Sequence, residues 1–141
     1  MKLFASSDRN ARYKLLCQIE NFVEHLNNKV ANDQVFPQIQ NGFLDQQPVI
    51  REKTVIAVIH LAPKLNFTNL DENVVMKNFS RLLRDEQAGI RTNTTVCLGK
   101  IAKNLHHTTR QKVLVSLPFS VKANKLLTIL STTNYFLFEN R

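Results

Sequence analysis

Glycine and proline are scarce in this chain of 141 residues, which has 3 Gly, 4 Pro and no Trp. That scarcity excludes collagen-like repeats and Gly/Pro-rich linkers, so nothing in the composition divides the chain. No apolar run approaches the roughly 18 residues that a membrane-spanning helix needs. Residues 1–9 also lack the apolar stretch of a secretory signal. We therefore expect a globular protein in the cytoplasm.

Cysteine is also rare, and Cys17 and Cys97 do not form a Cys-x-x-Cys pair. Both lie in apolar stretches, which favours small core residues over a disulfide or a redox pair. The four histidines have no Cys or Asp at metal-ligand spacing, and no Gly-x-Ser-x-Gly elbow is present. We therefore expect no enzyme active site, no metal and no cofactor.

Acidic residues are outnumbered, 11 against 19 Lys and Arg, which gives a net charge of +8. Nearly all of the excess positive charge lies in the residues after 60. It includes a candidate basic interaction face made of Lys77, Arg81, Arg84, Lys100 and Lys103. The first three are spaced along one side of a helix. Acidic proteins or RNA are possible partners, although no aromatic residues alternate with these cations to stack bases. A merely solvated outer surface is the alternative.

Three apolar stretches repeat at offsets of about 40 residues, the period of HEAT and armadillo helix pairs. The matching positions are Ala11, Ile50 and Ile90, then Arg12, Arg51 and Arg91, then Ile19, Val58 and Leu98. A preceding helix is predicted at 33–44 and again at 73–84, with a third near 108–117, and residues 66–71 form a polar connector. Pro48 suits a first helical position, and Pro63 is expected to end its helix.

These repeats predict an all-α solenoid, with about two and a half to three helix pairs in residues 1–117. The run 55–59 is apolar on every side, as expected for a middle repeat covered by two neighbours. The matching inward positions should be buried. They are Phe22, Ile39, Val58, Leu61, Phe79, Leu98 and Ile101.

A charged pair recurs in the repeats. Asp45 precedes Arg51 by six residues, as Asp85 precedes Arg91. Each Asp closes a first helix and each Arg opens a second one, and both placements oppose the helix dipole. Such recurrence favours pairing of the four side chains as a ladder, within a repeat or with its neighbour. Separate solvated charges are the alternative.

Residues 118–141 do not continue the pattern. A further step of 40 places Lys125 and Ser131 where an Asp and an Arg are expected. The apolar runs of this segment are β-prone. We expect an atypical tail that is not a native repeat, arising from truncation or a misread frame.

The second unit resembles the HEAT family, with Pro37, Asp45, Ile50 and Arg51 at that family's four preferred places. The third unit keeps Asp85, Ile90 and Arg91 but has Lys77 in place of the proline.

A closer resemblance is to the HEAT region of the SCY-type pseudokinases, the N-terminal kinase-like proteins. It rests on the strings at 41–45, 61–66 and, above all, 85–101. The resemblance implies a non-catalytic adaptor in COPI-linked Golgi-to-ER traffic, cytoplasmic and Golgi-associated, with coat or Golgi traffic proteins as partners. The alternative is a basic platform associated with tRNA and its nuclear export. A third hypothesis is a truncated product without function. The motifs of the kinase-like domain are missing here, so the resemblance implies no nucleotide site.

Overall fold

The helical repeats predicted from the sequence are confirmed in the computed structural model, which describes residues 8–116. Six helices follow one another, joined by short turns, and no strand occurs in this range. Their bounds are α1 Arg9–Phe22, α2 28–44, α3 Pro48–Leu61, α4 68–82, α5 Ala88–Ile101 and α6 His107–Ser116.

The helices form two layers. The second helices of the repeats lie side by side, with α3 packed between α1 and α5. The first helices form the other layer, where α6 packs on α4. The rings of Phe43 and Phe79 join α2 to α4 edge to face, with centroids 5.9 Å apart. Two complete helix pairs, α2–α3 and α4–α5, are thus flanked by one second helix, α1, and one first helix, α6.

The middle helix α3 is covered from both sides, as its apolar character requires. Ile50, Ala57 and Leu61 join a core shared with α1 and α2. Val55 and Val58 belong to a second core, shared with α4, α5 and α6. Because α3 contributes to both cores, the two repeats are held in one continuous stack.

Six of the seven predicted inward positions are buried, and Phe22 is the exception. Ile39, Val58, Leu61, Phe79, Leu98 and Ile101 are all at most 3% exposed. Phe22 is half-buried at the edge of the first core. Its neighbour Val23, which opens a tighter 3₁₀ turn after α1, is the buried residue instead. The change in helical pitch there moves the inward position by one residue.

Both first helices begin about five residues earlier than predicted. The side chain of Asn27 accepts the backbone N–H of Val30 at 2.8 Å, and Asn66 accepts that of Asn69 at 2.9 Å. Each asparagine therefore satisfies an orphan donor of the first turn and allows the helix to start there. Residues 66–71, expected to be a connector, lie mostly in α4.

The prolines act as predicted in the second helix of the middle repeat. Pro48 is the first residue of α3, and Pro63 lies in a 3₁₀ turn, Ala62–Lys64, that ends it. In both first helices, part of the helix is widened to π geometry, at Ala31–Val35 and at Thr68–Phe79. Pro37 follows the first of these segments, whereas the second contains no proline, so π geometry occurs here with and without a nearby proline.

Candidate protein-interaction surface

The charged side chains at the turns within helix pairs join neighbouring repeats. Arg51, at the start of α3, donates from Nε and Nη2 to the two carboxylate oxygens of Asp85, at 3.0 and 3.1 Å. Asp85 belongs to the next repeat and follows α4. The third nitrogen, Nη1, donates to the backbone carbonyl of Asp45 at 2.8 Å. Arg51 therefore binds the carboxylate of the following repeat and only the backbone of its own.

The same pairing of an arginine with the aspartate of the next repeat occurs one repeat earlier. The carboxylate of Asp45 lies 3.4 Å from Nε of Arg9 and 3.3 Å from Nη2 of Arg12, and its side chain is only 5% exposed. Arg12 and Arg51 occupy equivalent places near the starts of α1 and α3. Each arginine thus reaches forward to the aspartate of the next repeat.

Each aspartate is also fixed by its own turn. Oδ1 of Asp45 accepts the N–H of Gln47 at 2.8 Å, and Oδ1 of Asp85 accepts that of Gln87 at 2.9 Å. Burial alone would raise the pKa of Asp85. The hydrogen bonds from Arg51 and Gln87, together with the charges of Arg51 and Arg91, outweigh burial and lower that pKa below its ordinary 3.8.

Arg91 occupies the same place in the last repeat but has a different environment. It is exposed, and its Nη1 donates to the backbone carbonyl of Asp85 at 2.6 Å. This bond matches the one from Arg51 to the carbonyl of Asp45. Within residues 8–116, however, no carboxylate accepts from the Arg91 fork.

The five residues of the basic interaction face are all exposed, but they lie on two helices and the turns after them. Lys77 and Arg81 lie on α4 and Arg84 in the turn after it, while Lys100 lies near the end of α5 and Lys103 in the 3₁₀ turn that follows. Nη1 of Arg84 donates to the carbonyl of Ser80 at 2.9 Å. In the described range, no acidic side chain forms an ion pair with Lys77 or Arg81.

One arginine among the basic residues after position 60 is not at the surface. Arg110 is 2% exposed, and its Nη1 donates to the carbonyls of Ala102 and Leu105. These carbonyls belong to the 3₁₀ turn after α5 and to the residue that follows it, so Arg110 satisfies acceptors in the connection between α5 and α6. Asp71, also buried, accepts the backbone N–H of His106 at 2.8 Å, just before α6. Neither role shows in the sequence, where both residues have the appearance of surface charges.

The turns between repeats carry a second set of links that sequence reasoning missed. Nζ of Lys64 donates to the carbonyl of Leu26 at 2.7 Å. The side chain of Asn32 accepts the N–H of Asn66 at 2.8 Å and donates to the carbonyl of Lys64 at 3.0 Å. The Lys64 bond joins the α2–α3 pair to α1, and the Asn32–Asn66 bond joins that pair to α4, at the ends of the helices away from the Asp–Arg pairs.

The layer of second helices presents a mixed polar and apolar surface. Lys53 lies over the ring of Tyr13, 5.8 Å from its centroid, and Nε2 of His60 is 3.5 Å from the carboxylate of Glu20. Between α1 and α3 there is a shallow groove of about 160 Å³. Cys17 also lines this groove, together with apolar residues of both helices.

The described residues form neither a metal site nor a membrane-spanning helix. No three His, Cys, Asp or Glu side chains in this range come together as a metal site would require. None of its helices is long and apolar enough to cross a membrane. Stacked helix pairs with paired charges at their turns define a non-catalytic helical-repeat scaffold.

Comparison with known proteins gives the family. Residues 19–134 match the model of a helical-repeat family described as non-SMC mitotic condensation complex subunit 1, and the chain belongs to that family. The matched family is one of HEAT repeats and not a kinase domain.

Two curated relatives confirm the resemblance to the pseudokinases. The chain is 40% identical over 115 residues to the probable inactive serine/threonine-protein kinase scy1 of Dictyostelium discoideum. It is 30% identical over 130 residues to the protein kinase domain-containing protein ppk3 of Schizosaccharomyces pombe. The matches cover 82% and 86% of this chain but only 14% and 20% of the relatives. No solved structure matches the chain.

Proposed function

We propose that this chain is the protein-binding segment of an adaptor in COPI-linked Golgi-to-ER traffic, acting in the cytoplasm at Golgi membranes. Similarity to a probable inactive kinase supports an adaptor role, because such a protein acts through contacts and not through phosphoryl transfer. The helical-repeat fold supports it as well, since solenoids offer extended surfaces to other proteins.

The observation that carries the proposal is the exposed cationic stretch of α4. Lys77 and Arg81 are exposed and form no ion pair with the described residues. Lys100, on the adjoining helix α5, and Lys103, in the turn after it, add positive charge. A positively charged surface attracts a negatively charged partner, which speeds association and selects against basic partners. The partner segment should therefore be acidic.

Purified COPI coat complex is the direct probe, titrated against the full chain at two salt concentrations. We expect Lys77→Glu with Arg81→Glu to weaken binding by about tenfold or more, because like charges would then face the acidic segment. The matched control reverses Lys14 and Lys29, which are also exposed but lie on α1 and α2. Equal binding by both double variants would refute the role of α4.

Purified tRNA serves as the second probe, because phosphates would also bind this surface. Phosphate contacts lose affinity steeply with salt, with a log–log slope near −0.9 for each contact on a duplex. We expect weaker binding to tRNA than to the coat complex at physiological salt. Tighter tRNA binding that Lys77→Glu and Arg81→Glu abolish would replace the proposal with an RNA-associated function.

A further inference from the structure

The Asp–Arg pairs form a directional series, and its last member within residues 8–116 is an arginine. Arg12 pairs with Asp45, and Arg51 pairs with Asp85. Arg91 is next in the series. Its Nη1 already makes the backbone contact to Asp85 that Arg51 makes to Asp45. The rest of its fork is exposed and reaches no carboxylate in the described range.

The two occupied sites define the ligand that fits the third. In both, the ligand is an aspartate at the turn before a helix. In both, its Oδ1 accepts the N–H two residues on, at 2.8 and 2.9 Å. The Arg51 site binds its aspartate through two parallel N–H···O bonds, the geometry in which an arginine fork meets a planar carboxylate. A lone chloride, with a single acceptor atom, does not reproduce that arrangement.

The side of α5 around Arg91 suits the approach of another helix. By the period of 40, Thr95 and Gly99 on α5 correspond to Val55 and Ile59 on α3. Those two residues of α3 pack in the core shared with α5. Thr95 and Gly99 are half-buried and small, so a neighbouring helix could approach closely. Because Thr95 and Gly99 are less apolar than Val55 and Ile59, this side of α5 suits a partner that binds reversibly and not a permanent core.

This chain does not supply the aspartate in register. Forty residues after Asp85 the sequence has Lys125, and the only acidic residue after Ser116 is Glu139. We propose that the Arg91 guanidinium binds an aspartate of another protein. That aspartate lies in the turn of a helix pair of the partner, as Asp45 and Asp85 do in this chain. This site is separate from the cationic stretch of α4 and does not depend on the function proposed above.

The test uses the full chain and a blocked peptide that copies residues 40–50, the turn whose aspartate binds Arg12. Its control is the same peptide with Asp45→Asn. Binding is followed through the Nε–H resonance of Arg91 in low salt, assigned by its loss in Arg91→Gln. We expect the aspartate peptide to move this resonance and to bind about tenfold more tightly than the asparagine peptide, as loss of a charged hydrogen-bonded pair implies.

Two variants separate this site from general charge attraction. Arg91→Gln should abolish the preference for aspartate, while Lys14→Gln, at an exposed position of α1, should preserve it. Equal affinity for both peptides, a preference that survives Arg91→Gln, or no shift at several millimolar peptide would each overturn the proposal. It would also be overturned if Glu139→Gln moved the Arg91 resonance without peptide, because the chain's own tail would then occupy the fork.

Discussion

Two threonines show how single residues adapt to burial. Thr54 and Thr94, 40 residues apart, are both fully buried. Each hydroxyl donates to the carbonyl four residues earlier, Ile50 or Ile90, at 2.7 Å. Burial of these polar groups therefore leaves no unsatisfied donor. Gly42 permits the first arrangement, because a Cβ at that position would overlap the Thr54 side chain.

Leu61→Ala tests the core of the middle helix. Leu61 is fully buried, so truncation should lower the free energy of unfolding by about 2–5 kcal/mol, the range for core leucines. Leu44→Ala is the matched control, since Leu44 is exposed and should cost less than about 0.5 kcal/mol. Urea unfolding of both variants measures the difference. A loss below about 1 kcal/mol for Leu61→Ala would contradict the packing of α3.

The two thiols should differ in reactivity. Cys97 is buried, and its thiol donates to the backbone carbonyl of Val55, with Sγ 3.4 Å from the oxygen. Burial raises the pKa of Cys97 to about 12, because the thiolate is disfavoured away from water. Native Cys17→Ala protein should therefore resist a thiol reagent at pH 8 until it is unfolded. Native Cys97→Ala protein should react through half-buried Cys17. Rapid labelling of native Cys17→Ala protein would show that the core opens.

At the scale of elements, the charged pairs connect one helix pair to the next. Arg51→Ala leaves Asp85, whose side chain is 9% exposed, without its bidentate partner. We expect a loss of about 1–3 kcal/mol in the free energy of unfolding. Arg91→Ala, in the equivalent place but exposed, should cost less than about 0.5 kcal/mol. Equal losses in the two variants would show that the pairing between repeats does not stabilise the stack.

The same pair predicts a dependence on pH. The pKa of Asp85 is lowered in the folded protein, so its contribution is complete above the unfolded pKa and disappears as pH falls through the folded one. Asp85→Asn should therefore be less stable than the parent at pH 7. The difference should shrink as the pH falls below about 4. Urea titrations of both proteins at several pH values measure it, and a constant difference would exclude this ionisation.

The sequence predicted the element types but left open whether each arginine pairs within its repeat or with its neighbour, for physical reasons. The 40-residue period identifies Ile39, Val58 and Leu98 as core positions because burial follows helical periodicity. The period does not reveal which carboxylate an arginine reaches. Arg51 is six residues from Asp45, yet it binds the side chain of Asp85, which only stacking brings near. The burial of Asp71 and Arg110 likewise depends on contacts between α4, α5 and α6.

At the scale of the whole molecule, the boundary predicted at residue 117 stays a prediction. Residues 118–141 lie outside the described range, and the family match extends to residue 134. If these residues are not a native repeat, their deletion should leave helical content and the unfolding midpoint nearly unchanged and improve solubility, because their apolar runs favour aggregation. Circular dichroism and thermal unfolding measure this. A large loss of cooperative unfolding would show instead that the segment caps α5 and α6.

The forward direction of the Asp–Arg pairs has a consequence for how the chain emerges from the ribosome. Arg51 precedes its partner Asp85 by 34 residues, so the donor is always synthesised before the acceptor. A nascent chain grows from its N-terminus at about 5–20 residues per second, which leaves Arg51 waiting in water for a few seconds. The waiting group is a guanidinium, which stays hydrated until its partner is synthesised. The carboxylate, which has to be buried, meets a partner already in place as soon as its own repeat folds.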